Sequence, residues 1–205
     1  MSSQLLIATT NAGKIAEIRD ILAPLGIATR TPSEVDVHLE VRETGSTFAE
    51  NAVLKARAFA DAAGLTALAD DSGLMVDALH GQPGVLSARY AGEGASDDDR
   101  INLILQRLRG VPAKARSATF VAVVALAQPK GERVTLFEGR VGGYITEEPR
   151  GSLGFGYDPI FFVPDAGKTF GEMRAEEKAR HSHRGLALRK FADSIQPWRG
   201  TGILE

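Results

Sequence analysis

The feature that most constrains this chain is a pair of adjacent aspartates, Asp70 and Asp71, at the end of an apolar run. Thr66 to Ala69 reads as a buried strand, and the Asp-Asp-Ser-Gly sequence of residues 70–73 reads as the turn that ends it. Carboxylates in such a place are unfavourable unless a metal ion or cationic side chains hold them. In an extended segment successive side chains point to opposite faces, so the two aspartates cannot point the same way. The rest of the chain has to supply what holds them.

Composition limits the choices. With no cysteine among its 205 residues, the chain excludes disulfides, thiolate zinc sites and a cysteine nucleophile. Its formal net charge of −2 argues against a general polyanion binder, so any nucleotide site must be local, and nucleic acid is not an expected partner. No apolar run approaches the roughly 20 residues of a membrane span. The opening MSSQLLIATTN lacks the basic flank and long apolar segment of a signal peptide. The expectation is a soluble cytoplasmic protein with no membrane partner. No repeat or linker divides the sequence, which suits one domain or one domain with two lobes.

The basic and anion-friendly groups come from three places. Leu5 to Ala8 suits a buried strand. A small polar loop follows, Thr9-Thr10-Asn11-Ala12-Gly13-Lys14, and then a helix carrying Ile15, Ile18, Ile21, Leu22 and Leu25 at helical spacing. Strand, loop and helix in that order present backbone N–H groups to an anion, although an N-capped helix alone explains the same residues. The loop is not a Walker A sequence, because Ile15 stands where Ser or Thr should follow the lysine.

Thr47 to Ala63 forms a second helix, with Thr47 and Glu50 as a capping box. Its Lys55 reads, on pattern alone, as a solvated helix lysine. Ser96 caps a helix over Asp97 to Arg109, and Ala118 to Ala127 and Arg133 to Val141 form paired strands. Residues 142–150 read as turn-rich. The glycine loop Gly154-Phe155-Gly156-Tyr157-Asp158 suggests either a base-stacking clamp or a plain hairpin loop. Lys178, Arg180, His183 and Arg184 crowd the start of the last helix, where the macrodipole disfavours cations. They need an external anion or they face solvent.

Glu43, Asp70 and Asp71 form the acidic group, and oxygen-only ligands of this kind suit Mg²⁺ or Mn²⁺ shared with substrate phosphates. Lysine, arginine and a helix N-terminus balance polyphosphate charge. The sum is a metal-dependent enzyme acting on a nucleoside polyphosphate.

The segments ATTNAGK (8–14), ETGSTFAENAVLKA (43–56), ADDSGLMVDALHGQPGVLSARYAG (69–92), GFGYDPIFF (154–162) and EKARHSHRGLAL (177–188) resemble the inosine triphosphate pyrophosphatase family. They occur in order across nearly the whole chain. The resemblance implies one α/β domain over residues 1–205, elongated and two-lobed, with a long mixed sheet flanked by helices and an active-site cleft between lobes. It implies hydrolysis of dITP, ITP and XTP to the monophosphate and pyrophosphate, with Mg²⁺ and as a homodimer.

Residue by residue, the resemblance makes Asp71 the catalytic general base and a metal ligand. Glu43 is the second metal carboxylate, with Glu40 as the alternative. Thr9, Thr10, Asn11, Ala12, Gly13 and Lys14 become phosphate contacts, and Lys55 and Ser72 substrate contacts. Phe155, Gly156, Tyr157 and Asp158 become the base-recognition loop, and Lys178, His183 and Arg184 base or phosphate contacts. Ala179 and His181 depart from the family's usual pattern, which leaves His181 as a second histidine candidate beside His183. Asp70 is expected to support the structure rather than react.

Overall fold

The structure, a computed structural model, describes residues 4–195. The first three residues of the amino-terminal stretch read above lie outside that range. Seven strands form one mixed sheet among the described residues: β1 (Leu5–Ile7), β2 (Thr29–Arg30), β3 (Ala67–Val76), β4 (Ser117–Ala127), β5 (Val134–Ile145), β6 (Phe161–Val163) and β7 (Lys168–Thr169), in the order β2-β1-β3-β4-β5-β6-β7. β1 runs parallel to both β2 and β3, with Leu6 opposite Arg30 on one side and Ala67 on the other. β6 is antiparallel to β5 and β7, with Phe162 opposite Tyr144 and Thr169. The helices are α1 (Ala12–Leu22), α2 (Phe48–Ala63), α3 (Asp97–Arg107), α4 (Ala175–His181) and α5 (His183–Ile195). The chain is therefore α/β, with a mixed central sheet flanked by helices.

The described residues fall into two compact units. One takes residues 4–71, 122–139 and 184–195, and the other takes 72–121 and 140–183. In the first, Leu5, Ile7 and Leu68 of the sheet pack with Ile18 and Leu22 of α1 and with Leu188 and Phe191 of α5. In the second, Leu74, Phe120 and Phe161 pack with Ile101 and Ile104 of α3 and with Ile160 and Phe170. Burial of side chains of this size stabilises by about 1.5–3 kcal/mol each, before conformational entropy is subtracted.

Helix starts follow the local chemistry that the sequence carries. Asn11 caps α1 by accepting from the Lys14 N–H at 2.9 Å, Thr47 and Glu50 form the expected capping box, and Ser96, expected as a cap, forms a further box with Asp99. Three expectations are corrected. First, residues 70–73 are not a turn, because β3 continues through them to Val76. Each aspartate meets cationic partners within the sheet's surroundings, so the strand has no need to stop.

Second, β5 runs on to Ile145 through Gly142 and Gly143 rather than ending at Val141. A side chain at Gly143 would overlap the Phe162 carbonyl of β6, so this glycine serves close strand approach and not a turn. Third, the basic segment is split between two helices. Lys178 and Arg180 lie in the last turn of α4, where the dipole favours cations, and His183 and Arg184 begin α5.

Candidate active site

In the first unit, β1 delivers the chain to the 9–14 loop. Thr9 Oγ1 accepts from the Asn11 N–H at 3.2 Å, which shapes the loop ahead of the cap. Thr10, Asn11 and Ala12 are exposed, while Thr9, Gly13 and Lys14 are half-buried. The Lys14 ammonium reaches Asp70 Oδ2 at 2.8 Å. Arg184, buried at the start of α5, donates to the same oxygen at 3.2 Å and also pairs with Glu17 of α1. Burial alone would raise the Asp70 carboxyl, but the charges of Arg184 and Lys14 outweigh it and hold Asp70 far below the usual carboxylate range. The same pairing, against burial, raises Arg184 above its ordinary value, so its charge is permanent. Arg184 thus has internal carboxylates, contrary to the expectation that it needs an external anion.

The opposite face of β3 carries different chemistry. Lys55 of α2 bridges two carboxylates, Glu43 Oε1 at 2.7 Å and Asp71 Oδ1 at 2.8 Å. It is not a solvated helix lysine, since its side chain is only 11% exposed. Asp71 is itself buried, and its second oxygen, Oδ2, has no hydrogen-bond partner among the described residues. Burial pushes the Asp71 carboxyl up, Lys55 pulls it down, Glu43 adds to the rise, and the net direction is upward. The two neighbouring aspartates are therefore separated electrostatically, Asp70 lowered and held as an anion, Asp71 raised above its ordinary value.

The loop that carries Glu43 is fastened to α2. The Gly45 N–H donates to Asn51 Oδ1 at 2.8 Å, and the Ser46 N–H to Glu50 Oε2 at 2.6 Å. A Cβ on Gly45 would lie 2.6 Å from Glu50 Cβ and 2.7 Å from Asn51 Oδ1, so only glycine lets the loop sit this close. Asn51 and Lys55 stand one helical turn apart, so the loop that carries Glu43 and the lysine that holds it are fixed by one helix face. Glu40 is exposed and has no such contact.

Among the described residues no cluster of three or more histidine, aspartate or glutamate side chains forms a ready metal cage. Glu43 and Asp71 nonetheless fit a magnesium-type ion. Such an ion takes one or two carboxylates and completes its shell with water and phosphate oxygens. Here two carboxylates are held by a single lysine, and one carboxylate oxygen is buried without a hydrogen-bond donor.

The second unit gathers the other candidates. Lys178 of α4, buried, pairs with Asp158, and its ammonium lies 4.7 Å from the centre of the Phe155 ring and 5.7 Å from that of Phe170. Asp158 Oδ2 also accepts from the Phe155 N–H at 2.8 Å. The His183 ring stacks on Phe120 at 4.5 Å with an interplanar angle of 3°. His181 is only half-buried at the end of α4, so His183 is the histidine that the fold encloses. Tyr157 is in the core, and its hydroxyl donates to the Ser87 carbonyl at 2.8 Å. Of the loop's two aromatic rings, the half-buried Phe155 is the one left near the surface. Ser72 is half-buried on β3, directly after Asp71.

The structure thus brings Lys14, Asp70 and Arg184 together, and separately Glu43, Lys55 and Asp71. It also brings together Phe155, Asp158 and Lys178. Sequence reasoning missed Glu17, Asn51, Phe120 and Phe170. Glu17 lies one turn after Lys14 on α1, a spacing that places both on one helix side, but nothing local points it toward Arg184.

Comparison with known proteins gives the family. A model of the Ham1 family matches residues 5–194. The dITP/XTP pyrophosphatase of Thermus thermophilus is 52% identical over 193 residues, covering 94% of this chain and 92% of that protein. That of Bacillus subtilis is 47% identical over 191 residues, covering 93% and 96%. The solved structure of a HAM1 protein from Coxiella burnetii superposes with a TM-score of 0.86 at 42% identity, covering 95% of this chain and 99% of the other. A match that spans the paired aspartates, the glycine loop and the Ser-His-Arg segment alike carries the conclusion that this chain belongs to the Ham1 family.

Proposed function

We propose that this chain hydrolyses deaminated purine nucleoside triphosphates, dITP, ITP and XTP, to the nucleoside monophosphate and pyrophosphate. The names of its relatives, dITP/XTP pyrophosphatases at about half identity over nearly the whole chain, support the substrate class. The observation that carries the chemistry is Asp71. It is a buried carboxyl held up by burial, with one oxygen on Lys55 and the other without a hydrogen-bond partner among the described residues.

In this reading Asp71 orients a water molecule and takes its proton as oxygen attacks the α-phosphorus. A positioned general base of this kind contributes about 10² to 10⁴-fold, so charge neutralisation must supply much of the remainder. Lys14, at the head of α1, offers an ammonium to the phosphates, and Thr10, Ala12 and Gly13 offer backbone N–H groups, while Thr9 and Asn11, whose own N–H groups bond within the chain, shape the loop and offer side-chain donors. Glu43 and Asp71 would hold Mg²⁺, or Mn²⁺. When bound, such an ion polarises the phosphoryl oxygens and neutralises developing charge. Lys55 keeps the two carboxylates together and Asp70 keeps Lys14 and Arg184 in place.

Base selection follows from hydrogen-bond polarity. Hypoxanthine and xanthine carry an acceptor at position 6, whereas adenine carries a donor. A site that donates at that position leaves donor facing donor when adenine enters, which costs about 1–3 kcal/mol per unmet group. Lys178 and His183 supply N–H donors, with Phe155 as the stacking surface. The same reading makes the protein a cytoplasmic homodimer, and sedimentation velocity reads the association directly. Among the described residues no helix is long and apolar enough to cross a membrane.

The test is product identity. Phosphorus NMR of ITP incubated with the protein and Mg²⁺ is expected to show inosine monophosphate and pyrophosphate. Inosine diphosphate and orthophosphate would place the cleavage at the wrong bond. Turnover of a pyrimidine or modified nucleotide in preference to ITP would favour a Maf-type pyrophosphatase instead.

A further inference from the structure

We propose that Asp97, at the start of α3, is a positioning residue that sets purine discrimination by fixing the Phe155–Gly156 turn. The proposal rests on the reading of residues 155–158 as the base-recognition loop. Three acids open α3: Asp97, Asp98 and Asp99. The ordinary explanation of such a run is that it complements the helix dipole. That explanation covers Asp98, which is exposed, and Asp99, which completes the capping box with Ser96. It does not cover Asp97.

Asp97 reaches out of its own helix. Its Oδ2 accepts from the Gly156 N–H at 2.6 Å, 59 residues along the chain, and its Oδ1 pairs with Arg100. Arg100 is itself anchored, donating to the Ala95 carbonyl at 2.6 Å and the Ala88 carbonyl at 3.0 Å. The neighbouring Ser87 carbonyl receives the Tyr157 hydroxyl. Residues 87–88, Arg100 and Asp97 therefore form a continuous hydrogen-bonded support beneath the turn.

Two consecutive backbone N–H groups of the loop each meet a carboxylate, Phe155 with Asp158 and Gly156 with Asp97. Gly156 has φ +63°, a conformation that glycine adopts without strain. A freely permissive residue next to the stacking ring gives no rigidity of its own, so an external acceptor must supply it. A hydrogen bond to an ionised acceptor is shorter and stronger than one to a neutral oxygen. The Phe155 and Gly156 amides are both committed to the protein, and the placement of Phe155 depends on Asp97.

The test compares KM and kcat for ITP and ATP in Asp97→Ala, Asp97→Asn, Asp98→Ala and Phe155→Ala. Loss of one charge-assisted hydrogen bond predicts that Asp97→Ala raises KM for ITP about tenfold. Its kcat stays within about threefold, and its ITP-over-ATP preference falls by a similar tenfold factor. Asp97→Asn keeps an acceptor for the Gly156 N–H and is expected to recover most of the loss, while Asp98→Ala stays at wild-type values. The side chain of Asp97 is 41% exposed, so its substitutions leave no core cavity, and circular dichroism of each variant checks that it is folded. If Phe155→Ala collapses the preference while Asp97→Ala does not, the proposal is overturned and the loop reading survives. If Phe155→Ala leaves the preference intact, the loop reading fails and takes the proposal with it. A fall in kcat for Asp97→Ala with unchanged KM and preference would also overturn it.

Discussion

Asp70→Asn is the substitution that most cleanly separates the two aspartates. Asparagine keeps the shape and removes the charge. The wild-type carboxylate is fully buried and faces Lys14 at 2.8 Å and Arg184 at 3.2 Å. Removing one member of a buried ion pair typically costs about 3–5 kcal/mol, because the remaining charge is left uncompensated. Two features pull the expectation toward the lower end. Arg184 retains Glu17, and Lys14 is 16% exposed and can recover water. The expected loss is therefore about 3 kcal/mol. For a chain of this size that corresponds to a fall of about 6–12 °C in melting temperature.

The same variant carries a pH signature. Asp70 has its folded-state pKa lowered, so it contributes stability above its unfolded value of about 3.9 and loses it as pH falls toward the folded value. The stability difference between wild type and Asp70→Asn should accordingly shrink below about pH 4. Urea unfolding followed by circular dichroism at pH 7 and pH 3.5 reads both effects. A variant within about 1 kcal/mol of wild type at pH 7 would refute the pairing argument.

Asp71→Asn should behave oppositely, with kcat for ITP down at least about 10²-fold and stability within about 1 kcal/mol. Near-normal turnover in a folded Asp71→Asn protein would remove Asp71 from the chemistry. Gly154 has φ +77°, and a Cβ there would overlap the Asp158 carboxylate, so Gly154→Ala should raise KM for ITP by about tenfold or more. An unchanged KM would show that Asp158 does not depend on this close approach. Burial raises the Tyr157 hydroxyl above its ordinary value, so its contribution is complete below about pH 10 and is lost as pH rises through the folded value. Tyr157→Phe should therefore lose less stability than wild type between about pH 10 and higher alkalinity in urea titrations. Parallel curves for the two proteins would contradict that.

What the sequence made legible was mostly local. Thr47 with Glu50, and Ser96 as a cap, are found where the pattern puts them, and Asn11 proves to be the cap among the Thr and Asn residues before α1, all through bonds three residues long. The strands of β1 and β4 are apolar runs whose period needs no partner to be read. The errors arose where a distant contact overrides local preference. Residues 70–73 have the composition of a turn, yet Arg184, 114 residues away, and Lys14 and Lys55 let the strand pass through them.

Gly142 and Gly143 look like turn residues, yet both lie in β5, and at Gly143 the approach of β6 accounts for the glycine. Lys55 looked solvated because neither of its carboxylates lies on its own helix. Arg184 and Lys178 looked unmatched for the same reason, with Glu17, Asp70 and Asp158 all distant in sequence. The side-chain alternation of an extended chain did carry one conclusion through unchanged. Asp70 and Asp71 pair with different side chains, and although the cations lower both carboxyls, they outweigh burial at Asp70 while burial and Glu43 outweigh them at Asp71.

The central claim is selective release of pyrophosphate from deaminated purine nucleotides. The most direct measurement is kcat/KM for dITP, ITP, XTP, GTP and ATP, read as pyrophosphate release with Mg²⁺ present. A buried donor left facing the adenine amino group predicts a preference for ITP over ATP of about tenfold to a hundredfold or more. Equal kcat/KM for ITP and ATP would contradict it.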